Sequence, residues 1–145
     1  MLPLHEPVPG LYPTAEYGMD QSAEPFAWAV MVLGARDLAG DQTAGDSLIG
    51  VLTTWAAAGA LNDTPTHYDA FYALKRTMLP TMVAYRIVAE RMSEEDRRLV
   101  HEWIDGLVRR LDVMFDGDVD HNNHRFLADL VLMTWGSISG DLALY

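Results

Sequence analysis

SEEDRRLVHEWIDGLVRRLDVMF, residues 93–115, places Leu99, Val100, Trp103, Ile104, Leu107, Val108 and Leu111 at the three- and four-residue spacing that lines one face of an α-helix. Three acids, Glu94, Glu95 and Asp96, fill the first turn, where the positive end of the helix dipole favours negative charge. Ser93 stands just ahead of them as the start of the helix. A helix with one apolar stripe needs partners to cover it. The neighbouring segments offer helices for this purpose, and no alternation of strand period runs for a useful length.

Upstream, Thr64-Pro65 suits the opening of a long helix carrying Tyr68, Phe71, Tyr72, Leu74, Met78, Val83 and Tyr85, with Pro80 expected to kink it. Asp46 is the expected cap of an earlier helix bearing Leu48, Ile49, Leu52 and Trp55, whose trailing Ala56, Ala57, Ala58 and Gly59 would let a neighbour approach closely. Ser22 is the expected cap of a first helix to about Leu38, ended by Gly40. Downstream, DGDVDHNNH leads into a last helix, RFLADLVLMTWGSI, stopping near Gly140. The expected fold is all-α, built from sequential antiparallel helical hairpins. Pro3, Pro7, Pro9, Gly10 and Pro13 mark residues 1–21 as an extended arm ahead of a helical domain over 22–145.

At 145 residues, half of them apolar and about a fifth charged, the chain has the balance of one globular domain. It has no cysteine, so disulfides and thiolate metal sites are excluded. Ten Lys plus Arg against 21 Asp plus Glu leave a net charge of −11, which disfavours nucleic acid and anionic membranes as partners. MLPLHEPVPGLYPT has no basic region followed by an apolar one, so no signal peptide is expected, and no apolar run reaches the length of a membrane span.

The most unusual run is DVDHNNHRF, Asp118 to Phe126. Asp116, Asp118 and Asp120 have the alternate spacing that opens an EF-hand loop, but His121 and Leu127 stand where that loop needs glycine and glutamate. His121 and His124 could contribute to a transition-metal site, though a pair three apart lacks the further ligands zinc requires. Asn122 or Asn123 would cap the last helix. A cap needs one such residue, however, and here two amides precede a histidine and an arginine. A helix N-terminus flanked by amide, imidazole and guanidinium groups is a good receiver for a carboxylate.

NNHR followed by an apolar helix resembles the Asn-Asn-His motif of the alginate lyases with an (α/α) toroid fold. LIGVLTTWAAAGALND and EEDRRLVHEWIDGLVRRL resemble, in order, the family's helix ending in Trp and alanines and its helix preceding the motif; LYPTAEYGMDQS is similar to its early tyrosine-containing stretch. The resemblance spans roughly Tyr12 to Asp141, the N-terminal and middle part of a family member. It implies part of a toroid and cleavage of alginate, a 1,4-linked uronate polymer, by β-elimination in the periplasm or outside the cell. It also implies catalytic roles for Asn123, in neutralising the uronate carboxylate, and His124, in proton transfer. Asn122 matches the first amide, Tyr72 an aromatic that lines the cleft, and Arg125 is suited to carboxylate binding. The family's catalytic arginine and tyrosine, several tens of residues beyond the histidine, have no match in this chain, and Tyr17 follows Glu16 where relatives tend to have lysine. The alternative is a non-catalytic carbohydrate-binding or structural helical domain derived from that fold.

The chemistry accounts for these residue types. Amide and cationic donors stabilise the enediolate that forms when the proton beside the carboxylate leaves, and a neutral histidine moves protons. No metal or other cofactor is required. Plainer roles are expected for other residues. Arg125 could pair with Asp129 at i, i+4; Lys75 and Arg76 sit between apolar positions of the third helix, where one could face the cleft but solvent is the leading expectation; and Trp55, Trp103 and Trp135 are expected in the core. His5, His67 and His101 carry no pattern. If the toroid is partial, Phe71, Met78 and Trp135 are expected on uncovered faces that promote self-association.

Overall fold

The computed structural model describes residues 6–14, 19–115 and 123–144, with the side chains of 112–115 left out. Its elements are α1 (Glu24–Leu38), α2 (Gln42–Ala57), α3 (Tyr68–Val88), α4 (Glu94–Phe115) and α5 (Asn123–Ser139), with 3₁₀ turns at Ala89–Arg91 and Leu142–Leu144. Among the described residues there is no strand, so the fold is all-α. No helix among them is long and apolar enough to cross a membrane.

α4 buries the face expected of it: Val100, Trp103, Ile104, Leu107, Val108 and Leu111 are buried. Ser93 caps it, its Oγ accepting from the Asp96 backbone N–H at 3.1 Å and donating to the Asp96 carboxylate at 2.7 Å. Other boundaries move. α2 begins at Gln42, four residues before the expected Asp46, because Asp41 is the cap and accepts from the Ala44 N–H at 3.2 Å. The cause lies one residue earlier, where Gly40 takes a φ of +98° and turns the chain out of α1, so the next acid already faces a new helix start. α1 has no side-chain cap; Ala23 precedes it, Pro25 sits in its first turn, and Ser22 donates its N–H to Asp20 instead. α3 starts at Tyr68, with His67 Nδ1 accepting from the Asp69 N–H. Thr64 does not cap it, because its hydroxyl donates to the Leu61 carbonyl at 2.6 Å and accepts from Leu11 N–H at 3.1 Å.

That last bond ties down part of the arm. Val8 and Pro9 accept from the backbone N–H groups of Leu61 and Asp63, and Leu11 is fully buried. The alanine run after Trp55 is not a close-approach face: Ala57 and Ala58 are exposed, and the chain turns there with Gly59 at φ +59° and Leu61 at +68°.

α3 is the central helix, packing against each of the other four. It is buried on more than one side, and runs through Pro80, with Thr77 and Thr81 hydroxyls donating to the carbonyls four residues back. Two aromatic groups fill the interior. Phe26 stacks on Trp55 at 3.8 Å between ring centroids and meets Trp103 edge-on, joining α1, α2 and α4. Trp135 of α5 lies against Tyr85 and His101. Trp55, Trp103 and Trp135 are therefore core residues. Phe71, Met78 and Trp135, expected on uncovered faces, are fully buried, because α3 lies between its neighbours and α5 closes over it. The exposed large apolar side chains stand elsewhere, among them Trp28, Leu38, Phe126 and Leu130.

Candidate functional site

The N-terminal turn of α5 meets the first two turns of α3. Tyr68, Tyr72 and Lys75 are spaced i, i+4, i+7 and share one stripe of α3. His124 packs into that stripe: its ring lies 4.7 Å from the Tyr68 ring and 4.8 Å from the Tyr72 ring, centroid to centroid, at tilted angles. Lys75 Nζ donates to the backbone carbonyl of His124 at 2.9 Å. Lys75 Nζ and the Arg76 guanidinium each stand 5.9 Å from the Tyr72 ring centre.

Lys75 corrects the expectation of a solvated side chain, since it is 0% exposed. Burial pushes its pKa down to about 8. Arg76, one residue on, faces outward and is exposed, as expected. The His124 pKa is lowered, first by burial and then by the charge of Lys75, with Asp69 opposing. Both effects favour the neutral imidazole. A neutral histidine packed against two phenol rings at the first turn of a helix is equipped to accept or pass a proton.

Asn123, at the start of α5, is exposed and precedes His124 in the chain. Arg125 forms the ion pair with Asp129, Nε to Oδ1 at 2.9 Å. Asn122 lies outside the described residues, as do Asp116, Asp118, Asp120 and His121, on which the metal readings rest, and Glu16 and Tyr17 of the early segment. Among the described residues no three His, Asp or Glu side chains come together as a metal site. Of the expected site residues, His124 and Tyr72 are brought together; Asn123 precedes His124 on the first turn of α5, and Arg125 sits on the same turn but engaged with Asp129.

Two members of the cluster were not assigned to the site from the sequence: Tyr68, expected only as part of the helix, and Lys75, for which the cleft ranked below solvent. The signal for Tyr68 is its i, i+4 relation to Tyr72. The signal for Lys75 is stronger: it is the single lysine among ten Lys and Arg residues, and it lies between Leu74 and Met78 on a helix rich in apolar positions. Comparison of the chain with protein-family models, curated proteins and solved structures gave no match.

Proposed function

We propose that this chain carries the uronate-handling site of a polysaccharide lyase that cleaves alginate by β-elimination, on antiparallel helical hairpins forming part of an (α/α) toroid, in the periplasm or outside the cell. The supporting observation is the packing of His124 against Tyr68 and Tyr72 at the first turn of α5, with Asn123 exposed and preceding it in the chain. In this reading the Asn123 amide and the helix N-terminus receive the carboxylate. His124 takes the C5 proton, the C–H electron pair becomes the C4–C5 double bond, and the C4–O4 bond breaks. O4 leaves with a proton, for which Tyr68 and Tyr72 are the neighbouring phenols.

The test is incubation of the purified chain with alginate while following the ultraviolet absorbance of the unsaturated uronate. Product should form, His124→Ala should abolish it with helix content unchanged, and a chelator should have no effect. Asn123→Ala should raise the barrier by roughly 2–4 kcal/mol if the amide acts as one oxyanion donor. Absence of product from every uronate polymer removes the lyase reading.

The Arg125–Asp129 pair supports a second reading, a non-catalytic sugar-binding domain, because it engages a guanidinium otherwise suited to the carboxylate. That reading predicts alginate affinity without turnover, lowered by Asn123→Ala. Unchanged affinity in that variant leaves Asn123 with a structural role alone.

A further inference from the structure

We propose that Lys75 is the positioning residue of the His124 site: its buried ammonium grips the first turn of α5 through the His124 carbonyl and holds the imidazole against Tyr68 and Tyr72. The activity consequence rests on the lyase reading above; the positioning itself does not.

Three observations carry this inference. Lys75 is fully buried in a helix whose neighbours Phe71, Leu74 and Met78 are also fully buried, a position where an aliphatic side chain would pack at no desolvation cost. Its 2.9 Å bond to His124 joins residues 49 apart in the chain. The contact is to the backbone of the very residue whose ring enters the tyrosine pair, so it fixes the height and rotation of that turn against α3. A carbonyl oxygen has two lone pairs and accepts this bond besides its helical one. The choice of lysine is also pointed. All nine other basic residues are arginine, and a guanidinium keeps its charge and spreads its donors in a fork, whereas an ammonium is compact and adjusts its protonation when buried.

The ammonium also acts on His124 electrostatically. Among the described residues, Lys75 and Asp69 of α3 are the charged groups whose influence reaches the imidazole, with opposite signs. The phenols facing it are Tyr68 and Tyr72, and its own helix adds the Arg125–Asp129 pair. On α4, Asp105 and Arg109 engage Trp135 and Asp141 at the other end of α5, and Arg110 engages the carbonyls of Asn62 and Thr64.

The experiment compares the full chain with Lys75→Met, which keeps side-chain length without charge, and Lys75→Arg, which keeps charge with a different head group. Imidazole titration by NMR should show the His124 midpoint moving upward toward the ordinary histidine value in Lys75→Met, with loss of the ring-current shifts imposed by Tyr68 and Tyr72. Lys75→Arg should retain part of both. An unmoved midpoint and unmoved ring-current shifts in Lys75→Met would overturn the proposal, whatever the activity. If Lys75→Met does not fold, the wild-type chain still decides: isotope-labelled lysine gives one side-chain signal, expected to exchange slowly with water and to titrate near pH 8. Fast exchange with ordinary titration overturns the proposal. Where the wild type cleaves alginate, Lys75→Met should lower kcat by about 100-fold, the scale of a small misplacement at a reacting centre, with KM little changed. Failure of the wild type to cleave counts against the lyase reading alone, because the NMR outcome is independent of turnover.

Discussion

The indole N–H of Trp103 donates a 2.7 Å hydrogen bond to the carbonyl oxygen of Ala60, linking the buried face of α4 to the turn that follows α2. Both residues are buried, so the carbonyl has no water to replace the indole. Trp103→Phe should therefore cost about 1–3 kcal/mol for the orphaned acceptor, with a further loss from the smaller ring beside Phe26. Urea unfolding of the two proteins measures this. Equal midpoints would show that the bond contributes nothing net.

A second prediction concerns the arm. A Cβ added at Gly10 would lie 2.7 Å from the Asp63 carbonyl carbon and 2.7 Å from the Thr64 nitrogen, both backbone atoms that cannot rotate aside. Gly10→Ala should force the arm off the turn after α2, exposing Leu11. The expected cost is about 1–3 kcal/mol, the usual range for overpacking, accompanied by new protease cleavage within residues 6–14. Unaltered melting and cleavage would mean that the arm does not depend on this close approach.

The start of α2 yields a third. Asp41→Ala should lower the melting temperature measurably, whereas Asp46→Ala, at an exposed position inside the helix, should change it little. Asp41 has a lowered pKa, chiefly through the Ala44 N–H and then through Arg36. A carboxylate held below its ordinary range contributes stability above that range and loses it as pH falls through the folded value. The gap between wild type and Asp41→Ala should thus narrow on acidification. The reverse ranking of the two variants would restore Asp46 as the cap.

How far the sequence foretold this molecule depends on whether a feature is local. The α4 stripe and its Ser93 cap were legible because periodicity and capping act within a few residues. The start of α2 was misread because two acids compete as caps, and the conformation of Gly40 selects the first. Thr64 looked like a cap because its partner Leu11 is 53 residues away. At the site, Asn123, His124 and Tyr72 were legible as residue types, and the Arg125–Asp129 pair follows from spacing alone. Lys75 was expected at solvent because lysine usually is; its burial follows from α3 being covered by four helices, which no local pattern records.

Burial of Lys75 also makes stability depend on pH, in a direction opposite to that of a base whose pKa is raised by an acidic partner. Its pKa falls from 10.5 to about 8 on folding. Between those values the unfolded chain holds the proton and the folded chain releases it, so stability rises with pH across that window. The penalty is fully present below about pH 8 and is relieved as the amine deprotonates, by up to about 3 kcal/mol at pH 10.5. Tyr85 limits the useful range: burial raises its pKa, so the fold opposes its ionisation and loses stability above the ordinary phenol range. Urea unfolding at intervals from pH 7 to 9.5 should therefore show a stability rise in the wild type. Lys75→Met, which lacks the amine, should show a flat profile across the same interval, and should equal or exceed the wild type near pH 7, since an apolar side chain of similar length replaces a buried charge. Parallel profiles in the two proteins would mean that the Lys75 ammonium suffers no net desolvation in the fold, and the pH dependence would then have to come from other groups.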